Sequence, residues 1–393
     1  MKNLRTTVKD CTISIGIAVG IVALLETSFR ISKFIYTLKL PRSNYSEIYR
    51  DRFIAFDKIV PIRDLKARQR EVGDHLMYKP WVQIGNRDHK GEFSSVSDGN
   101  RTVKGFEQSK DCSSTKEIWM FGGSTTYGVG VPYPENIPSY LQLILNTRNT
   151  CYGVVNYGVP YHYSKQETIN FVHNILDHEN PPLIAIFLDG LNDFGQPGST
   201  LRGEPFFTPV VTSLVPRGEN PARREEFNYP IQFNLEIVSW IQREILNNTT
   251  SSKSYSNRDL PTGYTESRAA KEISVKFIEN TINLGKICDA YAIKCFRFLQ
   301  PIAAVDYTPP SNDALTDWTK NEKKIASRFR DGYNFIRNNS STDFRGIKFI
   351  DISSVFSDYN GYAYVDGGHY SPRANKLIAD SIYSAISPVI VQR

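Results

Sequence analysis

Short apolar runs alternate with longer amphipathic stretches from Glu117 to the C-terminus, and the alternation predicts strands and helices in turn. Strands are expected at Glu117–Phe121, Gly153–Asn156, Leu183–Leu188, Lys294–Leu299 and Gly346–Asp351. Between them the pattern predicts helices at about Ile137–Arg148, Lys165–Asp177, Ala269–Asp289 and Asp317–Arg337, with a last helix over Ser371–Ile386. The expected fold class is therefore α/β, a three-layer α/β/α sandwich around a five-stranded parallel sheet. Ligand chemistry in such sheets gathers outside the C-terminal ends of the strands. The loops at Ser124, at Tyr157 and Gly158, and at residues 189–193 should then open onto one edge.

Two stretches break the regularity. Residues 29–115 are polar and punctuated by aromatics such as Tyr36, Phe53, Tyr78 and Trp81, and read as an extension that packs on the main domain. From Phe194 to about Ser267, Pro, Gly, Arg and Asn dominate around one expected helix, Leu235–Leu246. A loop of that length usually has a task. It reads as an insertion, 194–267, that covers or shapes the site of a domain spanning 116–388.

A basic tail, residues 1–10 with Lys2, Arg5 and Lys9, precedes 15 uncharged residues from Cys11 to Leu25. That run is at the short end for a membrane span, which wants ~20 residues, and also suits a signal peptide. Leu24-Leu25-Glu26-Thr27 offers no small-x-small cleavage site. The expectation is an uncleaved transmembrane signal anchor at 11–28, ahead of a cleaved signal and of a buried soluble helix. Residues 29–115 then become membrane-proximal, and the protein is single-pass with its C-terminal bulk on the extracytoplasmic side.

The 47 basic and 41 acidic side chains give a formal charge of +6 with no long basic block, which argues against a nucleic-acid partner. Four cysteines outside the apolar run, Cys112, Cys151, Cys288 and Cys295, allow three pairings. Cys112 and Cys151 each precede a strand, and Cys288 and Cys295 flank a helix-to-strand turn, so 112 with 151 and 288 with 295 is preferred. Four free thiols are equally open. Sequons at Asn44, Asn100, Asn247, Asn248, Asn338 and Asn339 matter only in a glycosylating host.

Candidate chemistry lies in two distant stretches, Phe121-Gly122-Gly123-Ser124-Thr125-Thr126-Tyr127-Gly128 and Asp366-Gly367-Gly368-His369. A serine becomes a useful nucleophile when a base takes its proton and a third group orients the base. Ser124, His369 and Asp366 supply those three roles. The negative charge developing on a substrate oxygen needs fixed donors, for which Ser124 and Gly158 offer backbone N–H groups and Asn192 a side-chain N–H.

In order along the chain, Gly122-Gly123-Ser124 with Gly128, Asn156-Tyr157-Gly158, Gly190-Leu191-Asn192-Asp193 and Asp366-Gly367-Gly368-His369 resemble the four blocks of the SGNH, or GDSL-like, hydrolase superfamily. The resemblance covers about residues 116–388, with the insertion interrupting it. It implies a flavodoxin-like fold and transfer of an ester-linked acyl group through an acyl-serine intermediate, with Ser124 as nucleophile, His369 as base, Asp366 as its orienter, and Ser124, Gly158 and Asn192 as the oxyanion hole. No cofactor and no metal are expected. The family's usual Asp before the serine is Gly123 here, which marks a divergent branch.

Rival readings are weaker. The glycine-rich turn lacks the G-K-[ST] ending of a phosphate-binding P-loop, and Thr126 replaces the second Gly of G-x-S-x-G. Asp189, Asp193, Asp366 and His369 could be imagined around a metal, but the motif blocks explain them better, and Asp193 reads as a structural loop residue. His162 is a candidate substrate contact. The leading expectation is an esterase or deacylase whose partner is an acylated small molecule, glycan or lipid, O-acetylated glycans included. An O-acyltransferase shares the same triad, and a non-catalytic scaffold or binding protein has no physical reason to keep all four site residues.

Overall fold

The computed structural model describes Leu24, residues 26–28, Arg30, 62–109, Cys112, 115–148, 150–202, 260–308, 323–341 and 343–390. The chain divides into one unit of Met1–Arg50 with Arg217–Tyr255 and another of Asp51–Pro216 with Ser256–Arg393. In the first, an ion pair joins Arg30 to Glu26 at 2.8 Å along a helical turn. Among the described residues no helix is long and apolar enough to cross a membrane. The expected anchor at 11–28 lies almost wholly outside them, as do most of the insertion and its expected helix Leu235–Leu246.

The second unit opens with helix α1 (Ile62–Asp74) and a hairpin of β1 (Leu76–Lys79) and β2 (Gln83–Asn86). Three short strands follow, β3 (His89–Lys90), β4 (Ser95–Ser97) and β5 (Asn100–Arg101), then the helical turn α2 (Phe106–Ser109). The alternating part begins with β6 (Lys116–Gly122), the helical turn α3 (Ser124–Tyr127), α4 (Ile137–Thr147), β7 (Tyr152–Asn156), α5 (Ser164–Asp177) and β8 (Ile184–Asp189). Next come two short helices, α6 (Leu191–Gly195) and α7 (Pro197–Arg202). The chain then resumes with α8 (Glu266–Ala290), β9 (Lys294–Leu299), α9 (Lys323–Asn339), β10 (Asp343–Phe344), β11 (Ile347–Asp351) and α10 (Pro372–Ile386).

Except for the hairpin, the strands form one sheet in the order β10-β11-β9-β8-β6-β7-β5-β4-β3. The five expected strands are its parallel centre, in the order β11-β9-β8-β6-β7. Antiparallel strands extend both edges, so the sheet is mixed rather than purely parallel. The extension is part of this sheet: Arg101 of β5 pairs with Asn156 of β7.

The centre of the sheet is legible as continuous apolar runs because both of its faces are covered. Ile118 and Met120 of β6 join the core of α4 and α10, whereas Trp119 and Phe121 join that of α5 and α8. Side-chain caps start the helices: Asn136 Oδ1 accepts from Ser139 N at 2.8 Å, and Ser371 Oγ from Ala374 N at 3.3 Å, each with a proline in the first turn. Thr265 caps α8, so that helix begins at Glu266, ahead of the expected Ala269. Regularity also persists past Phe194 through α6 and α7 to Arg202.

Two disulfides are formed, Cys112–Cys151 and Cys288–Cys295, with Cα separations of 5.8 and 6.1 Å. This is the preferred pairing. The first ties the approach to β6 to the start of β7; the second closes the turn from α8 to β9.

Candidate active site

Ser124 begins the helical turn directly after β6. As its first residue, Ser124 has a backbone N–H with no intrahelical acceptor. The turn closes when Gly128, at φ 90°, returns its N–H to the Ser124 carbonyl at 2.9 Å, a left-handed conformation that glycine adopts without strain. Thr125 Oγ1 donates to Gln300 Oε1 at 2.8 Å, tying the turn to the segment after β9.

A residue the sequence reading missed holds the far side of the turn. Arg101 is 2% exposed and donates through Nη1 to the carbonyls of Tyr127 and Gly128, each at 2.6 Å, and through Nη2 to that of Val131 at 2.9 Å. Its guanidinium lies 4.5 Å from the Tyr127 ring centroid. Burial pulls its pKa down to about 10, so it stays charged near neutrality. Neighbouring charges gave no hint of this role, because the interaction is with backbone carbonyls.

Asn192 stands in α6, just after β8. Its Nδ2 donates to the His162 carbonyl at 2.7 Å, and its Oδ1 accepts from Gln196 Nε2 at 3.1 Å. These two bonds fix which end of the amide faces the Ser124 turn. A Cβ built on Gly123 would overlap Asn192 Nδ2 and stand 3.0 Å from the His162 carbonyl oxygen. Gly123 is therefore the residue that lets the two loops approach.

Asp366 and His369 meet as expected. His369 Nδ1 lies 2.6 Å from Asp366 Oδ2, while Asp366 Oδ1 accepts the backbone N–H groups of Gly368 and His369 at 2.9 and 2.8 Å. Neither Gly367 nor Gly368 takes a positive φ, so the loop turns on the carboxylate's hydrogen bonds rather than on glycine freedom. Burial alone would raise the Asp366 pKa, but His369 and these backbone donors outweigh it and hold the carboxyl below the usual range. His369 Nε2 is buried and has no hydrogen-bond partner.

The loops converge on one sheet edge. Gly130, shortly beyond the Ser124 turn, has an ideal Cβ position 4.0 Å from His369 Cβ, and that of Gly368 is 3.2 Å from Leu191 Cδ2. No hydrogen bond joins Ser124 Oγ to His369 Nε2. Asp366 and His369 are thus paired with each other, without a hydrogen bond to Ser124.

Two expected site residues are placed differently. Gly158 N–H already donates to Asn156 Oδ1 at 2.9 Å, and its carbonyl accepts from Asn86 Nδ2 at 3.1 Å. Its N–H is engaged inside the turn instead of being offered to a substrate oxygen. His162 is 1% exposed with Nε2 donating to the Ile84 carbonyl at 2.8 Å, and burial drives its pKa to about 4. Its neutral ring packs under the extension, so it makes no substrate contact. What His162 contributes is the carbonyl that holds Asn192. The neighbouring Tyr161, by contrast, takes a left-handed φ of 75° and leaves its ring 38% exposed. Such strain in a non-glycine residue is more common at functional loops than elsewhere.

Beneath Asn192 lies a buried charged cluster. Arg297 pairs with Asp189 at 3.0 Å and donates to Thr281 Oγ1 at 2.9 Å. Asp193 Oδ1 accepts from Ser164 Oγ at 2.6 Å, anchoring the start of α5, a structural role matching its expectation. Burial, reinforced by Asp189, raises the pKa of Asp193 to about 7 and lifts that of Glu167 above the usual carboxylate range. Among the described residues no group of three or more His, Cys, Asp or Glu side chains is placed to hold a metal ion.

No family model matches the chain. No curated protein matches it in sequence. Solved structures do match in shape. A lipase/acylhydrolase from Enterococcus faecalis is 12% identical with a TM-score of 0.41, over 71% of this chain and 99% of its own. An acetyl xylan esterase is 14% identical with a TM-score of 0.39, over 69% and 99%. A member of the lipolytic protein G-D-S-L family from Veillonella parvula is 12% identical with a TM-score of 0.35, over 69% and 98%. Likeness this distant transfers no activity, and the functional reading rests on the site itself.

A separate cleft of about 520 Å³ opens at the opposite end of the strands, lined among others by Cys288, Lys294, Cys295, Lys348 and Pro388. Its lining contains neither serine nor histidine. It is remote from the Ser124 edge and has no part in the chemistry proposed for that edge.

Proposed function

We propose that the protein transfers ester-linked acyl groups through an acyl-serine intermediate on Ser124. The observation that carries this reading is the Asp366–His369 pair at 2.6 Å with His369 Nε2 buried and unpartnered, at the edge that holds Ser124 and Asn192. His369 Nε2 would take the Ser124 Oγ proton as Oγ attacks the acyl carbonyl, and then hand that proton to the departing alcohol. Asp366 keeps the ring oriented with Nε2 as the accepting nitrogen and stabilises the imidazolium. The Ser124 backbone N–H and Asn192 Nδ2 would receive the oxyanion. Water regenerates the serine in an esterase, and an alcohol acceptor does so in a transferase.

The substrate class we favour is an O-acylated glycan or related ester outside the membrane. Two disulfides favour an oxidising compartment, and the uncharged run behind Lys2, Arg5 and Lys9 favours a membrane anchor. The test is labelling of the full-length chain with a fluorophosphonate, wild type against Ser124→Ala. Labelling confined to the wild type supports the reading; a wild type that stays unlabelled where another serine hydrolase reacts would refute it. Acetate release from an acetylated glycan, with and without an acceptor glycan, then separates hydrolysis from transfer.

A further inference from the structure

Helix α1 turns one face toward the site. Leu65, Arg68, Gln69 and Val72 are spaced as i, i+3, i+4 and i+7, which places them on one side of an α-helix. Leu65 Cδ1 is 3.2 Å from the ideal Cβ position of Gly130, and Arg68 Nη1 donates to the Gly130 carbonyl at 3.0 Å. Val72 packs with Val96, Tyr127 and Val129. Gln69 Nε2, between them, donates to Asp366 Oδ2 at 2.8 Å. One helix face therefore touches both the turn that carries Ser124 and the loop that carries Asp366 and His369. Glu71 docks the same helix onto the neighbouring loop by accepting from Ser94 N at 2.7 Å and Ser94 Oγ at 2.8 Å.

We propose that Gln69 is a positioning residue for Asp366, and that α1 is the brace holding the acid–base loop in register with the nucleophile turn. The proposal rests on the acyl-serine reading above and deepens it. A carboxylate has about four lone-pair directions. Here they meet four donors: Gly368 N and His369 N on Oδ1, His369 Nδ1 and Gln69 Nε2 on Oδ2. Without Gln69, Oδ2 has a vacant direction, and water or a rotation of the carboxyl group can fill it at the expense of the His369 bond. A neutral amide suits this place because it satisfies the oxygen without adding a charge beside the imidazole. This role is not legible in the sequence, since Gln69 lies in a weakly patterned extension and is separated from Asp366 by 297 residues.

The test uses the full-length chain, first labelled with a fluorophosphonate and then assayed with p-nitrophenyl acetate across pH. Gln69→Leu should lower kcat about tenfold or more, the scale of losing one hydrogen bond to a charged group, with KM within about twofold. Gln69→Glu places a second carboxylate beside the pair and favours the protonated imidazole, so the acid limb of kcat/KM should move up by about half a pH unit or more. Lys66→Ala, on the exposed side of α1, should leave both readouts unchanged. If wild type and Gln69→Leu share one kcat and Gln69→Glu keeps the wild-type profile, Gln69 is not a positioning residue. If Lys66→Ala lowers kcat as much as Gln69→Leu, the effect is helix disruption and the assignment again fails. An unlabelled wild type instead overturns the acyl-serine reading, and the Gln69 assignment with it.

Discussion

At Gly123 a single missing Cβ decides how closely the nucleophile turn and Asn192 can approach. An alanine there would overlap Asn192 Nδ2 and bring its Cβ to 3.0 Å from the His162 carbonyl oxygen. Gly123→Ala should therefore lower the rate of Ser124 phosphonylation by about tenfold or more as Asn192 is displaced, read by labelling time courses. Asn192→Ala removes the side-chain donor outright. It should cost about 10²- to 10³-fold in kcat, a size found for loss of one oxyanion donor. A variant retaining wild-type kcat would mean that Asn192 only fastens the His162 carbonyl.

Among the elements, the parallel strands were legible from sequence for a physical reason. β6 and β8 are buried on both faces, so each writes an uninterrupted apolar run, and the helices between them carry one apolar side. The Asp–His loop was legible because its two residues are close in sequence. The small strands β3, β4 and β5 were not, since their two or three residues, such as His89–Lys90 and Asn100–Arg101, show no periodicity and gain their order by adding to the sheet edge. For the same reason Arg101 could not be read as a clamp. Its carbonyl partners at Tyr127, Gly128 and Val131 exist only after β5 pairs with β7. Arg101→Met should lower stability by about 3 kcal/mol, because several buried carbonyls lose a charged donor. Thermal unfolding reads that loss, and a shift within experimental error would show that water replaces the guanidinium.

For the molecule as a whole, buried titratable groups set opposing dependences on pH. His162 is held neutral, with a pKa of about 4 in the folded state, while an unfolded histidine titrates near ~6.5. Across that window the folded chain binds fewer protons than the unfolded chain. The contribution is therefore complete above pH ~6.5 and is lost as pH falls toward ~4, on the order of 3 kcal/mol. Asp193 and Glu167 act in the other direction, since burial and Asp189 raise both. They bind more protons when folded, so the stability they favour is present at low pH and declines as pH rises through their raised values. The two effects offset each other in weakly acidic solution. Asp193→Asn keeps an acceptor for Ser164 Oγ but removes one opposing titration. Its urea midpoint should then climb more steeply than the wild type's between pH 4 and 6.5, whereas His162→Gln should flatten the same stretch. Parallel pH curves for wild type and both variants would show that neither group changes protonation on unfolding, and that the balance of charge beneath Asn192 lies elsewhere.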